Sequence, residues 1–138
     1  MVYDGGMEDL VGRALPPGTF TLTRERYAQF AEGVEGDPSA DPTVDALWIL
    51  SASEATEMLA LADCDIERDG PMLGGISMEV ERALELDREY ATRKQILGLE
   101  RKHGKRAGTF DLLKVRAALA DDEGEVAAVL TTYVLPRR

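Results

Sequence analysis

The sequence predicts an α+β fold, a five-stranded antiparallel sheet wrapped around one buried central helix with a second, short helix beside it. Three observations predict it. One stretch, residues 44–62, is apolar around most of a helical circumference, the mark of a helix surrounded by protein. Beyond Pro71 the apolar period changes from helical to two and stays so through long runs. Short turn-forming segments join those runs, as they do between antiparallel neighbours.

The elements follow in chain order. Thr19 to Thr23 (TFTLT) alternates Phe20 and Leu22 with threonines and reads as a short strand. Thr23 is an N-cap residue type, and Tyr27, Phe30, Ala31 and Val34 follow at helical spacing, so a helix starts there and stops near Gly33 or Gly36. Gly36 to Thr43 (GDPSADPT) is a loop, closed by Asp41-Pro42 as a cap with proline in the first helical turn. The central helix then carries Val44, Leu47, Trp48, Leu50, Ala55, Met58, Leu59 and Leu61, and Ser51-Ala-Ser53 leaves open a division into two shorter helices. Asp63 to Pro71 is acidic and turn-like. Ile76, Met78 and Val80 then alternate with Ser77, Glu79 and Glu81. Tyr90 to Arg101 is long and mostly polar, and Thr109 to Ala120 sets Leu113, Val115, Ala117 and Leu119 on one face. After the turn Asp121-Asp-Glu-Gly124, Val126 to Leu135 is a final β-branched run. These four strands read as an antiparallel meander.

Composition excludes several function classes. With 138 residues, 44% of them apolar, the chain fits one domain with a sizeable core. Sixteen basic against 26 acidic residues give a net charge of −10, which repels a phosphate backbone and argues against nucleic acid as partner. One cysteine, Cys64, cannot close an internal disulfide, and with one histidine, His103, it cannot build a zinc cage or a two-histidine metalloprotease helix. Residues 1–10 hold three acids and no base, unlike a secretory signal, and no apolar run is long enough to span a membrane. The expectation is a cytoplasmic, reduced location with neither membrane nor nucleic acid as partner.

Three stretches carry a family resemblance. Tyr27-Ala-Gln-Phe-Ala31 followed by Gly36-Asp37-Pro38 is similar to the first helix and Gly-Asp loop of the MaoC-like acyl-thioester dehydratases, which have the hotdog fold. Gly74 to Leu84 (GGISMEVERAL) resembles their second strand at Gly74, Glu79, Arg82 and Leu84, with Ala83 in place of a usual proline. Arg106-Ala-Gly-Thr-Phe110, Asp122-Glu-Gly-Glu125 and Thr131-Thr-Tyr-Val-Leu135 resemble their two hairpin turns and final strand. The resemblance is closest to the divergent N-terminal-type half-domains of double-hotdog members. It implies residues 1–9 as an arm and 10–138 as a single hotdog domain.

The departure from that pattern bears on activity. Active hydratases of the family place a histidine five residues after the Gly-Asp aspartate, where imidazole and carboxylate together activate water and return a proton to carbon. Here Asp37 matches the aspartate and Pro42 stands where the histidine would be; Leu73 replaces a second frequent histidine. The resemblance therefore implies a subunit that binds acyl-CoA or acyl-carrier thioesters, without a cofactor, and pairs with a second hotdog that supplies the catalytic pair.

The remaining candidates each have a plain structural reading. Asp37, the one weak catalytic candidate, suits a turn that stabilises its own loop. Gly74 and Gly75 either let the sheet approach a bound thioester or form a bulge. Arg101, Lys102, Lys105 and Arg106, around His103 and Gly104, either dock coenzyme A phosphates or form a solvated hairpin tip. Trp48 and Met58 read as core rather than an acyl tunnel. Cys64, between Asp63 and Asp65, is a poor nucleophile. Two further functions stay open: a homodimeric module holding a small acyl or aromatic ligand, and a thioesterase using Glu54 or Glu57 of the long helix to activate water.

Overall fold

Residues 11–12, 15–33, 41–106 and 108–137 are described by the computed structural model. In chain order the elements are β1 (Gly18–Thr21), α1 (Arg24–Gly33), α2 (Thr43–Leu61), α3 (Ile66–Asp69), β2 (Met72–Val80), β3 (Glu89–Gly104), β4 (Gly108–Asp121) and β5 (Gly124–Arg137). All five strands form one antiparallel sheet in the order β1-β3-β4-β5-β2. It curves around α2, which lies on its inner face. No helix among the described residues is long and apolar enough to cross a membrane.

Local chemistry sets the helix starts. Thr23 Oγ1 accepts from the Arg26 backbone N–H at 3.1 Å, capping α1. Ahead of α2, Asp41 Oδ1 accepts from both the backbone N–H (2.9 Å) and the hydroxyl (2.5 Å) of Thr43. Pro42 is the residue before the first helical one rather than the first itself. The α2 helix is continuous through Ser51-Ala-Ser53; Ser53 Oγ donates to the Leu50 carbonyl at 3.0 Å, so the serine bonds within the helix rather than breaking it. The segment expected to be only a turn holds α3, a single helical turn capped by Asp65 and ended by Gly70 in the left-handed region at φ 60°.

The expected four-strand meander holds only for β3-β4-β5, because β2 pairs with β5 at the opposite edge from β1. Its inner residues Ile76 and Met78 pack on the core from there, while the outer side of β3 is taken by β1. The connection 81–88 is anchored on its way back to β3. Arg82 forms a two-pronged pair with Asp121 (2.9 and 2.8 Å), and the Leu84 N–H donates to Thr43 Oγ1 at 2.8 Å.

Every second residue of the strands faces α2, interrupted by the register shifts at Ile96/Gly98 and Leu119/Ala120. Thr92, Lys94 and Ile96 of β3 lie opposite Leu119, Ala117 and Val115 of β4, and these opposite Ala127, Val129 and Thr131 of β5, while Tyr90 pairs with Phe20 of β1. The core falls into two apolar clusters along α2. One gathers Leu47, Leu50, Tyr27, Leu84, Tyr90, Leu119 and Val129 around its first half. The other gathers Met58, Leu59, Ile96, Leu113, Tyr133 and Leu135 around its second half. Between them runs a belt of polar contacts. Ser51 Oγ lies 3.0 Å from Thr131 Oγ1, and Lys94 Nζ donates to Glu54 Oε2 at 2.9 Å.

Candidate functional site

A wide, solvent-open recess lies between α1 and α2. Helical spacing brings Arg26, Gln29 and Phe30 of α1 to one wall, and Asp45, Trp48, Ile49, Ala52 and Ser53 of α2 to the other; together they line an open groove of about 960 Å³. Phe30, Trp48, Ile49 and Ala52 make the apolar part, with Arg26, Gln29 and Asp45 among the polar lining. Val44, Trp48 and Ala52 follow one another at four-residue steps, so they form one outward stripe of α2. Trp48 is 42% exposed and Val44 50%. The helix therefore buries one face on the sheet, and Trp48 is a groove wall rather than core; only Met58 of the expected pair is fully buried. Apolar periodicity cannot distinguish a side covered by its own sheet from one left for another occupant.

The polar belt beneath α2 is closed on itself. Lys94 is 9% exposed and faces both Glu54 and, at 3.6 Å, Glu57. Burial alone pulls the Lys94 ammonium down, but the hydrogen bond and charge of Glu54, with Glu57 beside it, outweigh burial and hold it above the ordinary lysine value. A carboxylate hydrogen-bonded to an ammonium in this way is poorly placed to take a proton from water, which works against the thioesterase reading. Burial raises the Tyr133 hydroxyl, and a hydrogen bond with Ser51 partly offsets it. The belt escaped sequence reasoning, although a lysine at an inward position of the alternation Tyr90-Thr92-Lys94-Ile96 is the signal for it.

The basic hairpin is partly committed to structure. Arg101 Nε donates to Asp111 Oδ1 at 2.9 Å, and Lys102 pairs with Glu100 at 2.7 Å. Asp111 is fully buried and also accepts from Arg137 Nε at 2.8 Å, while the Arg137 guanidinium donates to the carbonyls of Ala62 and Asp63 at the end of α2. Burial pushes the Asp111 carboxyl up, but the hydrogen bonds from Arg101 and Arg137 prevail and hold it below the usual range. Lys105 and Arg106 are exposed at the tip. His103 is exposed nearby, its Nδ1 3.1 Å from Thr109 Oγ1.

That placement separates the histidine from the start of α2. Arg137 links the hairpin end of the sheet to the carboxyl end of α2, whereas Thr43 at its amino end is tied to Leu84. A helix of 19 residues is about 28 Å long. His103 thus lies toward the carboxyl end of α2, and Pro42 at its amino end.

The other candidates resolve as follows. Asp37, with its Gly-Asp loop, lies outside the described residues. Gly74 sits at a break in the β2–β5 register between Leu73 and Gly75, a bulge that faces β5. A Cβ on Gly74 would meet Val134 Cγ2 at 3.0 Å, whereas one on Gly75 would meet nothing within 4 Å. Met72 and Leu73 are more than half exposed on this edge strand, whose outer backbone has no neighbour among the described residues. Cys64 is buried; desolvation first, then Asp69, pushes its thiol up against the opposing pull of Arg137 and Arg68.

No family model matches the sequence, and no curated protein does. The fold, however, matches solved structures over nearly its whole length. The C-terminally truncated HadBC (3R-hydroxyacyl-ACP dehydratase) complex of Mycobacterium tuberculosis superposes with a TM-score of 0.65 at 17% identity, covering 91% of this chain and 97% of that one. A MaoC-like dehydratase from Rhodospirillum rubrum gives 0.55 at 16% identity over 96% and 97%. The ChsH1-ChsH2 complex of Mycobacterium tuberculosis gives 0.53 at 11% identity over 92% and 98%. At these identities the likeness establishes the fold alone, a single hotdog.

Proposed function

We propose that this chain, with its MaoC-like hotdog fold, is a thioester-binding subunit of an enoyl-thioester hydratase or dehydratase system and is non-catalytic alone. The observation that carries this reading is the position of the sole histidine. His103 is bonded to Thr109 on the β3–β4 hairpin, toward the opposite end of α2 from Pro42, the residue at the position of the family's histidine. Hydration needs a base to activate water and an acid to protonate carbon. Asp37 alone supplies at most one of these. A second hotdog bearing the Asp-His pair completes the chemistry in this reading, while this chain contributes a groove wall and substrate contacts.

Pairing is supported by the β2 edge, unpaired among the described residues, with exposed Met72, Leu73 and Val80. Two of the similar structures are complexes in name, HadBC and ChsH1-ChsH2. Acyl-CoA and acyl-carrier thioesters are the proposed ligands, with Lys105 and Arg106 available for phosphates. The test is co-expression with a hotdog subunit that carries the Asp-His pair, followed by hydration of crotonyl-CoA. Activity is expected in the pair and absent from the isolated chain; full activity of the isolated chain overturns the reading. The 960 Å³ groove also suits a homodimer that retains a small acyl or aromatic ligand without turnover. Native mass spectrometry showing stoichiometric ligand and no hetero-partner favours that alternative.

A further inference from the structure

We infer that the groove between α1 and α2 receives the apolar tail of a long or bulky acyl group, and that no tail lies beneath α2. The inference rests on the thioester reading above and names the substrate class that reading leaves open. Two independent observations carry it.

The first is the shape and lining of the groove. About 960 Å³ is at the upper end of the roughly 300–1,000 Å³ of cavities that hold small ligands, far more than a four-carbon acyl group fills. Phe30, Trp48 and Ala52 line the groove with apolar groups over the edge of buried Ile49, and Arg26, Gln29 and Asp45 add polar groups. Such a lining suits an amphiphile with one apolar end. Trp48 is 42% exposed, although an indole is among the side chains with most to gain from cover.

The second is the closure of the competing space. A tail running between α2 and the sheet would have to cross the belt of Ser51–Thr131 and Lys94–Glu54 contacts. Those groups are bonded in pairs, and a hydrocarbon laid across them would strip the partner from the buried Lys94 ammonium and the partly buried Glu54 carboxylate. The two apolar clusters on either side are therefore separate compartments rather than one channel.

Trp48 is the only tryptophan of the chain, so its fluorescence reports on the groove directly. The full chain is titrated with dodecanoyl-CoA and butyryl-CoA below micellar concentrations, following Trp48 emission and calorimetric affinity. Each fully buried methylene strengthens binding about fourfold, so half-burial of the eight additional methylenes predicts at least a hundredfold advantage for the longer acyl group. Dodecanoyl-CoA is also expected to shift the emission to shorter wavelength. Ala52→Phe, a substitution at an exposed helix position that fills the groove, is expected to reduce the advantage to less than tenfold. Equal affinities with unmoved emission overturn the groove while the thioester reading stands. A chain-length advantage that ignores Ala52→Phe but changes in the double variant Lys94→Met/Glu54→Leu places the tail beneath α2 and overturns the inference. Binding of neither thioester overturns the thioester reading and the inference with it.

Discussion

Lys94 Nζ donates a 2.9 Å hydrogen bond to Glu54 Oε2, fastening the middle of β3 to the middle of α2 between the two apolar clusters of the core. Removing one member of such a pair leaves the other charged and short of partners, whereas replacing both can be nearly neutral. Lys94→Met is expected to destabilise the fold by about 2–3 kcal/mol, softened by the half-exposed position of Glu57. The double variant Lys94→Met/Glu54→Leu should recover most of that loss. Urea unfolding of the single and double variants measures both; equal losses would show that the pair is not coupled.

Asp111 links the hairpin, the last strand and the end of α2 through Arg101 and Arg137. Its carboxyl is held low, and that of Asp121 is held down to about 2, chiefly by the hydrogen bond from Arg82. Lowered carboxyl values mean that the folded state binds fewer protons than the unfolded one. This stabilisation is complete above the ordinary aspartate value near 3.8 and is lost as pH falls toward 2. Asp111→Asn is expected to cost about 3 kcal/mol at neutral pH and to flatten the fall in stability between pH 4 and 2, approximately the range in which aspartates titrate. Thermal unfolding across that range checks the slope.

Trp48 stands on the rim of the groove rather than in the core. Trp48→Ala is expected to cost less than about 1 kcal/mol, against roughly 3–5 kcal/mol for a tryptophan removed from a packed interior. A large loss in denaturant unfolding would mean that the indole packs more tightly than its 42% exposure indicates.

Gly74 and Gly75 are adjacent yet differ in what surrounds them. Gly74→Val crowds Val134 and the Thr132 carbonyl of β5 and is expected to lower stability by about 1–2 kcal/mol. Gly75→Ala meets open space and should be neutral or slightly stabilising. Melting temperatures of the two variants separate a bulge requirement at Gly74 from a general need for glycine in the strand.

Cys64 should behave as an inert core residue. Its raised thiol value disfavours the reactive thiolate, so an aromatic disulfide reagent is expected to react only when the protein unfolds. Stopped-flow labelling in native buffer and in urea compares the two states; rapid labelling of the native chain would contradict the burial.

The elements were legible because local rules write them into the chain. Thr23 caps α1, Asp41 precedes α2, and Gly124, at φ 114°, closes the last hairpin. The alternation of Leu113, Val115, Ala117 and Leu119 predicts one buried face, and all four are buried. What alternation could not carry was which edge β2 joins, since Ile76 and Met78 can face a core from either side of a sheet. Of the candidate site, Gly74, Gly75 and the basic hairpin were visible as motifs. The groove was not, because Arg26, Phe30 and Trp48 are brought together only when α1 folds against α2.

By itself, the sequence determined the α+β class, the central helix, the long strands and the absence of a histidine near Asp37 or Pro42, because each depends on residue identity and short-range spacing. Tertiary structure alone decided that Lys94 faces inward onto Glu54, that Arg101 is bound to Asp111, and that α2 leaves Trp48 uncovered. These outcomes depend on pairs separated by 40 residues in one case and 10 in the other, and on where the sheet's curvature ends. Local propensity and hydrophobic pattern say which faces avoid water, but only packing decides what covers them.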